Sequence, residues 1–100
     1  MHFVVNTPIT TKFPFGQVVA TQGAAALLER ETQTANEFLE RHGKGDWGKL
    51  SEHDRKMNDQ GLANGDDRLM SVYDTKSGEK LWIITEWDRS VTTLLLPTEY

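Results

Sequence analysis

The chain has 100 residues, enough for one domain, with 37% hydrophobic residues and a formal charge of −4 from 15 acidic and 11 basic side chains. It contains no cysteine, which removes disulfides, thiolate zinc sites and cysteine nucleophiles and fits a reducing compartment. The acidic balance argues against direct, sequence-independent nucleic-acid binding and suits a basic protein partner instead.

Residues 1–16 read as an N-terminal arm broken by Pro8, Pro14 and Gly16. Within it, Phe3-Val4-Val5 reads either as an edge strand or as part of a segment that packs Phe13 and Phe15 onto the domain. The first residues lack the basic region and long apolar run of a signal peptide. No apolar run approaches the ~20 residues of a bilayer span, so the expected location is cytoplasmic, without a membrane.

Gln17–Thr21 reads as a short strand, and residues 17–65 as mainly helical beyond it. Ala24–Glu31 is rich in strong helix formers, with Thr21 as N-cap. Thr34 supplies a second cap, and Ala35, Phe38, Leu39 and His42 then recur at helical spacing. Residues 23–42 are thus two short helices or one kinked helix, with Gly43 expected just past the end. The glycines of Lys44–Gly48 exclude regular structure. Ser51 caps a third, polar helix, whose apolar contacts are expected from Leu50, Met57 and Leu62, and which Asn64-Gly65 ends.

Residues 66–100 predict a three-strand antiparallel meander: Arg68–Asp74, Lys80–Trp87 and Val91–Leu96. The middle strand is apolar on both faces, as a strand under helices on one side and partly covered on the other would be. The expected fold is therefore α+β in one domain: a short N-terminal strand or arm, two to three short helices, then the meander.

Three groups of residues are candidates for function. His42 with Asp46 and Trp47 has the composition of a carboxylate-held general base, but His42 continues an apolar stripe and reads better as a core-edge histidine bonded to backbone. Trp47, between glycines, reads as a plug anchoring its loop. Asp54 and Asn58, one helical turn apart, either hold the Gly45–Gly48 loop by its amides or bind a ligand. Glu86-Trp87-Asp88-Arg89 lies on a turn that either presents Trp87 and Arg89 to a partner or is fixed by an ion pair of Arg89 with Glu86 or Asp88. His2, His42 and His53 lack metal-ligand spacing, and no phosphate-binding glycine loop or nucleophile elbow is present, so no metal, cofactor or catalytic residue is assigned.

Taken together, Phe38-Leu39-Glu40-Arg41-His42, Gly45-Asp46-Trp47-Gly48, Asp54 with Asn58, Arg68-Leu69-Met70-Ser71-Val72-Tyr73, and the closing run from Trp82 through Pro97 to Tyr100 carry a resemblance. Residues 17–100 resemble a family of small proteins carried on bacterial plasmids and integrative elements. Its members are labelled only as plasmid-related proteins, or as type I restriction subunits, for which this chain lacks both the length and the nucleotide-binding motifs. The resemblance transfers no residue roles. It implies a small protein travelling with mobile DNA, and hence an inhibitor of the anti-CRISPR or antirestriction kind that blocks a host or defence-system protein by steric cover or charge mimicry. The alternative is a small enzyme or ligand-binding domain using His42, Asp46, Asp54 and Asn58 around the Gly45–Gly48 loop. A homodimer is left open.

Overall fold

The computed structural model describes residues 2–4 and 11–100. Among these the fold is α+β, in the order β1 (His2–Val4), β2 (Gln17–Thr21), α1 (Gln22–Glu31), α2 (Ala35–Gly43), α3 (Glu52–Asn64), β3 (Leu69–Asp74), β4 (Lys80–Thr85), β5 (Val91–Leu95) and a closing 3-10 turn (Pro97–Glu99). The sheet order is β1-β2-β5-β4-β3.

The expected meander is present, with β3–β4 and β4–β5 both antiparallel. β3 begins one residue later than expected, at Leu69, and β4 and β5 end short of their expected limits because Glu86-Trp87 and Leu96 leave the ladder. The meander is not a separate sheet. β2 adds beside β5 in parallel, pairing Val18 with Thr92 and Ala20 with Leu94, and β1 pairs antiparallel with β2. The expected N-terminal edge strand thus exists as His2–Val4, while Val5 lies outside the described residues. A parallel pair between segments some seventy residues apart leaves no local signal, whereas hairpins announce themselves through their turns.

The three expected caps form. Thr21, Thr34 and Ser51 accept hydrogen bonds from the backbone N–H of Ala24, Glu37 and Asp54. Residues 22–43 divide into two helices because Thr32 takes a left-handed conformation at the end of α1. Gly43, expected just past α2, is its last helical residue. A Cβ there would lie 2.7 Å from the Thr11 methyl and 3.2 Å from the Phe15 ring, so its absence lets the 11–15 segment cross the helix end.

The core lies between the helices and one sheet face. It is built from Val18, Ala20, Leu28, Phe38, Leu39, Leu69, Tyr73, Leu81, Ile83 and Leu94, with Phe13, Phe15 and Trp47 contributed by loops. On the opposite face of β4, Trp82 is half-buried and Ile84 buried, matching the expected two-sided strand. Tyr100 stacks edge-on against Trp82, its ring centroid 5.5 Å away. One expectation fails on α3. Met57 is 48% exposed rather than packed on the core, and the buried residues of that helix are Asn58 and Gly61.

Candidate functional site

His42 is fully buried at the inner end of α2, among the rings of Phe13, Phe15 and Trp47 at 5.3–5.8 Å. The expected backbone bond is absent. Instead Nδ1 lies 2.6 Å from Ser71 Oγ and Nε2 lies 3.0 Å from Thr85 Oγ1. Thr85 Oγ1 is 2.7 Å from Thr92 Oγ1, which donates to the Phe15 carbonyl at 2.8 Å. With the imidazole neutral, one proton order satisfies this whole chain. Thr92 gives its only proton to the carbonyl, so Thr85 must donate to Thr92. His42 Nε2–H then donates to Thr85, and Nδ1 accepts from Ser71. Burial, reinforced by the Arg89 charge, lowers the His42 pKa to about 3, which keeps the ring neutral. Each polar atom along the chain is occupied, so this histidine ties α2, β3, β4, β5 and the segment before β2 together.

Asp46 does not join it. Its carboxylate accepts from Arg41 Nε at 2.7 Å and from the Gly48 N–H at 3.2 Å, and is held below the usual carboxylate range first by the Arg41 bond. Trp47 is buried and fills the core beside His42, and its Nε1–H donates to Asp59 Oδ1 at 2.9 Å. The Tyr73 hydroxyl donates to the Asp46 carbonyl at 2.6 Å, and burial raises its pKa, so it remains a donor.

Asp54 and Asn58 share a helix face but not a role. Asp54 is exposed near the start of α3. Asn58 is buried and clamps the backbone of Met70, donating Nδ2–H to its carbonyl at 2.6 Å and accepting its N–H at Oδ1, 3.3 Å away. Neither holds the Gly45–Gly48 loop, the first of the two roles expected of the pair. Arg55 does that instead, donating to the carbonyls of Gly48 and Leu50.

Asn58 belongs to a larger device. β3 is an edge strand, yet Val72 N–H donates to the Trp47 carbonyl at 3.1 Å and its carbonyl accepts from Lys49 N–H at 2.7 Å. Together with the Met70 clamp, these bonds occupy the outward backbone groups of Met70 and Val72. Gly48 makes the approach feasible, with φ of 73° and Val72 O only 2.0 Å from where a Cβ would stand.

In the Glu86–Ser90 turn, Arg89 adopts φ of 59°, and its guanidinium turns inward. It donates to the carbonyls of Asp67 (2.5 Å), Glu86 (3.1 Å), Trp87 (3.3 Å) and Gly61 (3.3 Å). The expected ion pair with Glu86 or Asp88 is replaced by carbonyl bonds, and Arg89 fastens the turn to the end of α3. Asp88 accepts from the N–H and hydroxyl of Ser90. Trp87 is left 64% exposed. Its neighbours along the chain are Glu86 and the exposed Asp88.

The four polar residues of the enzyme alternative do not converge. His42 is sealed in the core, Asp46 lines one surface concavity with Arg41 and Arg55, and Asp54 and Asn58 line another with Met57 and Arg68. Among the described residues, no group of three or more His, Asp or Glu side chains is placed to hold a metal ion, and no helix is long and apolar enough to cross a membrane. Glu99 is a further structural residue, one that no sequence pattern singles out. Its carboxylate accepts from the Thr21 hydroxyl, the Gly23 N–H (3.1 Å) and the Leu96 N–H (2.8 Å), tying the C-terminus to the start of α1. An acid after the final strand gives no sequence signal that it reaches back so far. Compared with protein-family models, curated proteins and solved structures, the chain matches none.

Proposed function

We propose that the protein is a small protein-binding inhibitor of a mobile genetic element, of the anti-CRISPR or antirestriction kind, and that it engages a basic surface of its target through the Glu86–Asp88 turn. The observation that carries the reading is Trp87: a large aromatic side chain, 64% exposed, on a turn that Arg89 braces through the Glu86 and Trp87 carbonyls and ties to those of Asp67 and Gly61. An exposed tryptophan flanked in the chain by Glu86 and Asp88 has the composition of an interface hot spot facing a cationic partner. Further support comes from the net charge of −4 and from the resemblance of residues 17–100 to plasmid-borne proteins. The enzyme alternative loses ground because its residues are separated and His42 is enclosed.

The test is affinity capture from a bacterial host carrying CRISPR–Cas or restriction systems, alongside plasmid and phage restriction assays. The wild-type chain is expected to capture a defence component and to relieve restriction, and Trp87→Ala to lose both while keeping its fold. Unchanged restriction together with recovery of no defence component overturns the proposal.

A further inference from the structure

At the other end of β3 from Trp87, three of the chain's eleven basic residues meet around one concavity of about 350 Å³. They come from three separate segments: Arg41 from α2, Lys49 from the loop after it and Arg55 from α3. On a chain of net negative charge such convergence is unexpected.

The two arginines are fixed in place. Arg41 is held by Asp46 at 2.7 Å, with its guanidinium carbon 4.5 Å from the centre of the Tyr73 ring. Arg55 donates Nε–H to the Leu50 carbonyl at 3.1 Å and Nη2–H to the Gly48 carbonyl. A guanidinium carries five N–H donors, so each fork retains donors beyond those bonds.

The carboxylates lining the site are already matched. Asp46 is taken by Arg41 and the Gly48 amide, and Asp74 by Lys80, with Lys49 more loosely placed at 3.8 Å. Three cations line the cleft against two carboxylates, with Glu37 also acting on Arg41, and because Lys80 holds Asp74, Lys49 and Arg55 are the less fully matched cations. Fixed guanidinium forks beside an exposed ammonium suit a compact oxyanion, because bidentate N–H donors match adjacent oxygens of phosphate. The cavity volume is that of a small-ligand site.

We infer that the Arg41–Lys49–Arg55 cleft binds the phosphate dianion of a small molecule, independently of the Trp87 surface. The experiment is a titration of ¹⁵N-labelled protein with inorganic phosphate and, separately, with a nucleoside monophosphate, each against sodium chloride at matched ionic strength. Saturable shifts of the Gly48 and Lys49 amides and of the Arg55 Nε–H are expected with at least one phosphate probe and not with chloride. Inorganic phosphate sufficing would identify the anion alone as the ligand, and a response to the monophosphate only would assign the site to phosphate esters. Lys49→Gln should weaken binding about fivefold, whereas Lys76→Gln, on the β3–β4 loop, should leave it unchanged. The unliganded spectrum of each variant reports whether it is folded. No saturable shift with either phosphate probe, shifts that chloride reproduces, or affinity insensitive to Lys49→Gln in a folded variant would overturn the inference.

Discussion

His42 shows how a residue type common in active sites becomes a structural part. Its two nitrogens bridge two strands through hydroxyls, and the bridge works only while the ring is neutral. The folded-state pKa is depressed to about 3 from an ordinary 6.5, so the unfolded chain takes up a proton that the folded chain refuses. The stability that follows is complete above about pH 6.5 and is lost as pH falls toward 3, with a limiting slope of about 1.4 kcal/mol per pH unit. Denaturant melts between pH 7.5 and 5 should show this loss. His42→Gln should be less stable at pH 7.5 yet nearly flat over that range, because glutamine does not titrate. Parallel curves for the two proteins would exclude His42 as the source. His42→Ala, which leaves both a cavity and two unpaired hydroxyls, should destabilise by about 3–5 kcal/mol.

At the scale of elements, the β3 edge and the helix caps make separate predictions. Asn58→Asp is nearly isosteric, but it removes the donor to the Met70 carbonyl and places a charge at a buried position. A loss of about 2–4 kcal/mol is expected, with faster hydrogen exchange at the Met70 amide while the β4–β5 amides keep their protection relative to the new global stability. Equal acceleration throughout the sheet, beyond the global loss, would count against a local clamp. The cap at Ser51 is simpler. Ser51→Ala should lower stability by about 1 kcal/mol by freeing the Asp54 N–H, as thermal melts would register. The caps were legible because they depend on residues three apart in one segment. The clamp was not, because Asn58 and Met70 meet only once α3 lies against the sheet, and the helical face that Asn58 shares with Asp54 points to the Gly45–Gly48 loop or to a ligand instead.

For the whole molecule, the division between a sealed interior and a charged exterior decides where function can lie. Trp87→Ala removes an exposed side chain and should change folding stability by no more than about 0.5 kcal/mol, while abolishing target capture if the turn is the docking surface. Because the chain carries a net charge of −4, association with a basic target should slow as salt rises from 0.05 to 0.5 M and the Debye length falls from roughly 14 to 4 Å. Surface plasmon resonance on the captured target would read both effects. An association rate indifferent to salt would remove the electrostatic part of the proposal.

By itself the sequence determined the α+β class, the three helix N-caps and the β3–β4–β5 meander, and it left residues 23–42 as two short helices or one kinked helix until the left-handed Thr32 divided them. All of these arise from short-range causes: side-chain oxygens near orphan N–H groups, helical or alternating periodicity, and turns rich in glycine or polar residues. Tertiary structure alone decided that β2 lies parallel to β5, that His42 bonds to Ser71 and Thr85 rather than to backbone or Asp46, and that Arg89 faces inward. Those outcomes depend on which segments meet after the chain closes on itself. A buried polar group takes whatever donor or acceptor the packed core brings within reach, and no local pattern names that partner beforehand.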